Sequence, residues 1–241
     1  MKRATRIGMV LGLSAALLGL GGIGVFGRPT APSVAPAAPP NAEVLTGPTV
    51  PGGSLPDAIA SLQARLRDRP EDWRSLAELG LAYVQQARVS ADPSYYPKAE
   101  GALERSLALE AQGNLEALIG LGALDLARHE FADALRWGRR AAVVNPHSAN
   151  PYAVMGDALL ELGRYEPAFR AYQRMVDTRP DVAAYARVSY ARELRGDVDG
   201  AVGAMEMAFE AAGSPADAAW AAYQLGELEF GRRAVTAATR W

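Results

Sequence analysis

Between Leu115 and Asp181 the chain repeats itself with a period of about 34 residues, and no other feature of the sequence constrains the fold as tightly. In the first unit Leu118, Leu121-Gly122, Ala134, Ala141 and Pro146 fall at offsets 4, 7–8, 20, 27 and 32. The second unit carries Tyr152, Met155-Gly156, Ala168, Met175 and Pro180 at the same offsets, with Tyr172 at offset 24. Apolar residues three and four apart draw one stripe along each of two helices. Gly at offset 8 and Ala at offset 20 mark the closest approach of those helices, where a larger side chain would overpack the contact. Pro at offset 32 cannot continue a helix, so it closes the second helix and opens the next unit.

This register resembles that of the tetratricopeptide-repeat family. The resemblance covers residues 56–241 and is most specific in 115–181. It implies an all-α fold, a right-handed α-α superhelix of about four to five helix pairs, here following a single N-terminal hydrophobic helix. A capping helix falls at 56–72, and the first repeat at 73–114 carries Trp73, Leu76, Leu79-Gly80 and Tyr83 in register. Its second helix resumes at Ala99 and Leu103. The insertion between them, 86–98, contains Asp92-Pro93 and Pro97 and reads as an enlarged turn. The second and third repeats are 115–148 and 149–181. A fourth at 182–218 has Ser189 where Gly usually stands, and 219–241 holds a partial fifth with Leu225-Gly226. Residues 233–241 are then either a short terminal cap or the start of an interrupted repeat with an open apolar face.

The N-terminal part is different in kind. Residues 1–6 are basic, and 7–27 carry no charged side chain over a length of about 30 Å if helical, the thickness of a bilayer core. This reads as a transmembrane anchor. A cleaved signal is the alternative, with Ser33-Val34-Ala35 or Ala35-Pro36-Ala37 as cleavage sites. The charge asymmetry places the N-terminus in the cytoplasm and the repeats outside it, in a single-pass membrane protein or one secreted after cleavage. Gly8, Gly12 and Ala16 share a face that can pair helices in lipid, but nothing else in the sequence supports a homodimer. Residues 28–55 contain seven prolines and form a semi-stiff spacer.

Composition narrows the function. A net charge of −2 and an isoelectric point near 5.8 supply no field for nucleic acid. The absence of cysteine removes disulfides, thiolate metal sites, a cysteine nucleophile and a lipidated cysteine anchor. His129-Glu130 opens a zinc-protease pattern, yet Asp133 stands where the second histidine belongs. His129 and His147 both fall in turns. There is no phosphate loop, no nucleophile elbow and no metal-ligand spacing, so neither an enzyme nor a cofactor is expected. Asp157 and Glu161, four apart on one helical face, read as solvated carboxylates. Arg136, Arg139 and Arg140 lie on a second helix, the convex side in this family, and read as solubilising charge.

In the family, offsets 2, 5, 9, 12 and 13 of the first helices line a concave groove. The resemblance places Leu81, Val84, Ile119, Leu126, Leu160 and Tyr190 there as an apolar stripe, edged by Asp157, Glu161 and Glu193. Members that clamp a C-terminal carboxylate use Lys, Arg and Asn at such positions, and here only Arg74 and Asn150 fit. The stripe suits a hydrophobic peptide or an amphipathic helix with some positive charge; alternatively, the same side chains pack the inner wall of the superhelix. The sequence therefore predicts a non-enzymatic interaction scaffold at the extracytoplasmic membrane face, whose protein or peptide partner it does not name. The alternative is a membrane-anchored chaperone holding unfolded polypeptide during export or maturation.

Overall fold

Ser54, Asp72, Asn114, Asp181, Asp197 and Ser214 each precede an apolar run, and each side chain accepts a hydrogen bond from the backbone N–H three residues on. Such caps satisfy donors that the first turn of a helix leaves open. They open α1 (Leu55–Asp68), α2 (Trp73–Ser90), α4 (Leu115–Ala127), α8 (Val182–Leu194), α9 (Val198–Glu210) and α10 (Pro215–Gly231). Between them lie α3 (Tyr95–Leu109), α5 (Phe131–Val144), α6 (Asn150–Glu161) and α7 (Tyr165–Thr178). These elements come from a computed structural model of the chain, which describes residues 54–232. Among the described residues there is no strand.

The helices pair as α2–α3, α4–α5, α6–α7 and α8–α9, with α1 packed on α2 and α10 on α9. Successive pairs stack through α4, which packs on α2 and on α6. The core accordingly runs along the stack: Ile59 and Leu62 join Leu79, Leu103 and Leu118 near α1, and Met205 joins Leu225 and Leu228 near α10. Four turns share one device. Ala91, His129, Gly163 and Gly196 have φ of 53°, 62°, 70° and 78°. The N–H of each donates to the carbonyl three residues back, and the next N–H donates to the carbonyl five back, as Glu130 does to Asp125 at 2.8 Å. This left-handed closure ends the first helix of each pair and turns the chain into the second.

Close approach inside the pairs accounts for the glycine register. A Cβ on Gly156 would lie 2.3 Å from Cε1 of the buried Tyr172, and one on Gly80 would lie 2.4 Å from Leu103 Cγ. In the fourth pair Ser189 replaces glycine without opening the contact. Its hydroxyl donates to the Ala201 carbonyl at 2.7 Å across to α9, so a buried polar group finds a partner where the two backbones meet.

Two expectations change. The segment 86–98 is mostly helical rather than an enlarged turn: α2 continues to Ser90 and α3 begins at Tyr95. Pro97 is accommodated because the first turn of a helix needs no N–H donor. As a result α2 has 18 residues, against 13, 12 and 13 for α4, α6 and α8. The single-pass membrane placement with extracytoplasmic repeats is also overturned. No helix among the described residues is long and apolar enough to cross a membrane. Apolar α4 has only 13 residues, about 20 Å of helix, and the longer α2 carries Arg74, Glu78 and Arg88. The segment 7–27, the spacer 28–53 and the terminal residues 233–241 lie outside the described residues.

Candidate functional site

The nine residues expected to line a groove divide by depth. Val84, Ile119, Asp157 and Leu160 are only 1 %, 4 %, 5 % and 7 % exposed. Leu81, Leu126 and Tyr190 are half-buried, while Glu161 and Glu193 are exposed. Packing between neighbouring first helices explains the first group. Val84 and Ile119 belong to one apolar cluster, against which Leu81 and Leu126 pack. Leu160 belongs to another, which Leu126 and Tyr190 also cover. Val84, Ile119 and Leu160 are the wall of the solenoid rather than its accessible surface.

Asp157 needs a separate correction, because a carboxylate is buried only with partners. It neither edges a groove nor shares a solvated face with Glu161. Arg187 Nε donates to its Oδ1 at 2.9 Å and Nη2 to its Oδ2 at 3.0 Å. The Tyr172 hydroxyl donates to Oδ1 at 2.9 Å, and Arg187 Nη1 donates to the Ala183 carbonyl at 3.0 Å. Burial, followed by the Asp157 charge, holds the Tyr172 phenol well above its ordinary range. The network locks α6, α7 and α8 together. Arg88, on the extra length of α2, lies close enough to feel it: burial lowers its guanidinium pKa most, Arg187 lowers it further, and Asp157 opposes both.

What stays accessible is a lip where α6 and α8 end and α7 begins. Burial raises the Tyr190 phenol, and the charges of Glu161 and Glu193 raise it further, with Tyr165 adding to the same effect. Although Glu193 is exposed at its surface, enough protein crowds it that desolvation raises its carboxyl. Tyr165, half exposed, thus joins the site although it opens a second helix, outside the offsets from which the groove was read. The carbonyl ends of α6 and α8 add negative potential to the two carboxylates. The arrangement is acidic and aromatic, and it can receive a cation carried on an apolar body.

The clamp positions are otherwise engaged. The Arg74 guanidinium lies 4.2 Å over the Trp73 ring, and Asn150 Oδ1 accepts from Arg179 at 3.1 Å. Both histidines are exposed, and His129 meets Phe131 edge-on at 5.5 Å. Among the described residues one trio of acids brings its oxygens within 4.8 Å of one another, Asp125, Glu130 and Asp133. Burial, then Glu130, then Asp133 push the Asp125 carboxyl up to about 6, opposed by a hydrogen bond from Trp137.

Stacked helix pairs with glycine contacts and left-handed turns define an α-α solenoid of the tetratricopeptide type. No protein-family model matches the chain, and no curated protein matches it in sequence. Solved structures do share its fold. A thermophilic TPR protein of Thermus thermophilus, TTC0263, superimposes with a TM-score of 0.57 at 20 % identity, over 67 % of this chain and 86 % of that one. The protein MamA gives 0.50 at 25 % identity, covering 66 % and 89 %. A MamA fragment from Desulfovibrio magneticus RS-1, residue 41 to its end, gives 0.51 at 21 % identity over 66 % and 86 %.

Proposed function

We propose that this chain is a non-enzymatic protein-interaction scaffold, and that the lip formed by Glu161, Tyr165, Tyr190 and Glu193 takes up a basic amphipathic helix or peptide. Leu126 and Leu81 continue that surface along the first helices. The observation that carries the reading is the placement of two exposed carboxylates, Glu161 and Glu193, near the half-buried Tyr190 and the half-exposed Tyr165, where α6 and α8 end and α7 begins. A positively charged partner pairs with the two carboxylates, and its apolar face covers the half-buried Tyr190 and Leu126.

A chaperone for unfolded polypeptide needs a broad apolar surface. With Val84, Ile119 and Leu160 buried in the wall, little of one remains on this face, so the scaffold is the favoured reading. The test titrates the full chain with a fluorescein-labelled amphipathic peptide bearing Lys along one face and Leu along the other. Binding should be saturable and weaken about 10-fold in the Glu161→Lys/Glu193→Lys variant. Equal affinity for the variant sinks the proposed lip.

A further inference from the structure

The second helices carry a surface of the opposite sign. Between α5 and α7, above α6, lies a cavity of about 490 Å³. Its floor includes Tyr152 and Met155, and Arg139, Arg164, Arg170 and Arg174 stand around it. A second cavity of about 380 Å³ adjoins Arg139, with Trp137, Arg136 and Arg140 on its walls. Arg136 pairs with Asp133, but among the described residues no ion pair engages Arg139, Arg164, Arg170 or Arg174. The acids of α7 are committed elsewhere, Glu166 to Arg195 and Asp177 to Gln173. Arg174 lies 5.8 Å from the Tyr152 ring centre and Arg140 lies 4.6 Å from that of Trp137.

Solubility alone asks for charge dispersed in water. Here four guanidinium groups without a carboxylate instead surround one apolar depression, in a chain whose net charge is −2. We propose that this face of α5, α6 and α7 is a second docking surface, for an acidic peptide segment that seats one apolar side chain in the cavity. Charge complementarity decides the occupant: guanidinium groups pair with carboxylates through two parallel hydrogen bonds. The open depression is floored by Tyr152 and Met155 and offers an apolar side chain of a peptide a place to pack, which a phospholipid headgroup surface does not present. The proposal rests on observations separate from those behind the acidic lip, which this surface adjoins at Arg164 and Tyr165, and the two surfaces together let one chain bridge two partners of opposite charge.

The experiment measures fluorescence anisotropy of the full chain with a fluorescein-labelled synthetic peptide holding a single Phe between runs of Glu. Saturable binding is expected, weakened about 10-fold in the Arg139→Glu/Arg170→Glu variant, and weakened also when Ser replaces the Phe of the peptide. Both arginines are exposed, so the fold should survive, as circular dichroism will check. The Arg139→Gln/Arg170→Gln variant should show a smaller loss. The control Arg67→Glu/Arg69→Glu alters exposed residues near the end of α1 by the same total charge and should bind as the wild type does. Absence of saturable binding overturns the proposal. So does equal weakening in the control, indifference to the Phe, or Arg139- and Arg170-dependent binding to phosphatidylglycerol vesicles without binding to the peptide.

Discussion

Arg187 of α8 grips Asp157 of α6 through two parallel hydrogen bonds of 2.9 and 3.0 Å, and the arginine is only 1 % exposed. Tyr172 of α7 completes the set through its hydroxyl. Removing one member leaves the other charge buried without its partner, which costs far more than the pair contributes. Arg187→Met should therefore lower unfolding stability by about 3–5 kcal/mol. The double variant Asp157→Leu/Arg187→Met should recover most of that loss. Urea denaturation of the single and double variants checks both expectations.

Tyr172 also ties this network to the helix contact. Its ring fills the space beside Gly156, where an added Cβ would fall 2.3 Å from Cε1. A buried ring cannot swing aside cheaply. Gly156→Ala should thus cost about 1–3 kcal/mol by overpacking, and Gly156→Leu more. A thermal melt that matches the wild type for either variant would place the helix contact elsewhere.

Asp125 gives the chain a pH dependence of recognisable sign. Its folded pKa, about 6, lies above the ordinary 3.8 because burial, Glu130 and Asp133 oppose its charge. Between those values the folded chain holds a proton that the unfolded chain has released. Its contribution to stability is therefore fully present below the lower value and is lost as pH rises through the upper one. Asp125→Asn keeps an acceptor for Trp137 and removes the charge. Its melting temperature should exceed that of the wild type by a few degrees at neutral pH, and the gap should narrow as pH falls between the two values and close only below the lower one. Comparing the two proteins across pH isolates this residue from Asp57, Asp72, Asp92 and Glu100, whose pKa values are lowered and act in the opposite direction.

His129 sits in the left-handed turn position that glycine fills at Gly163 and Gly196. A Cβ is disfavoured there by about 1–2 kcal/mol, partly offset by the greater freedom that glycine has when unfolded. His129→Gly should stabilise the chain by about 0.5–1 kcal/mol, readable as a shift in urea midpoint with unchanged slope. A loss of stability would mean that the edge contact with Phe131 outweighs the backbone cost.

The repeat was legible because its signals are local and periodic. Gly156 and Ala168 mark the tight contact, and Pro180 marks the next start. Where two signals competed, the sequence misled: Asp92-Pro93 and Pro97 suggested a long turn, yet only Ala91–Ser94 separates two helices, since Pro97 falls within a first turn. The Asp157–Arg187 pair was missed for a different reason. Those residues belong to different repeats, and a polar residue at a groove offset reads as exposed unless its partner is sought one repeat away. The signal was present: Ala123 and Val154 hold the corresponding places one repeat earlier, both buried and apolar, so an acid and a base replace them together. Tyr165 and the arginines around Tyr152 could not be assembled from spacing, because α5, α6 and α7 bring them together only in three dimensions.

The most direct test of the scaffold reading is a photo-crosslink in the native cell from benzoylphenylalanine placed at Glu161, which is exposed where Leu160 is not. The same probe at Val143, exposed on α5, serves as the control. The account predicts one dominant adduct from position 161, absent from position 143, whose crosslinked segment is basic and amphipathic. A spread of unrelated unfolded chains, or adducts only to the protein's own residues, would contradict it.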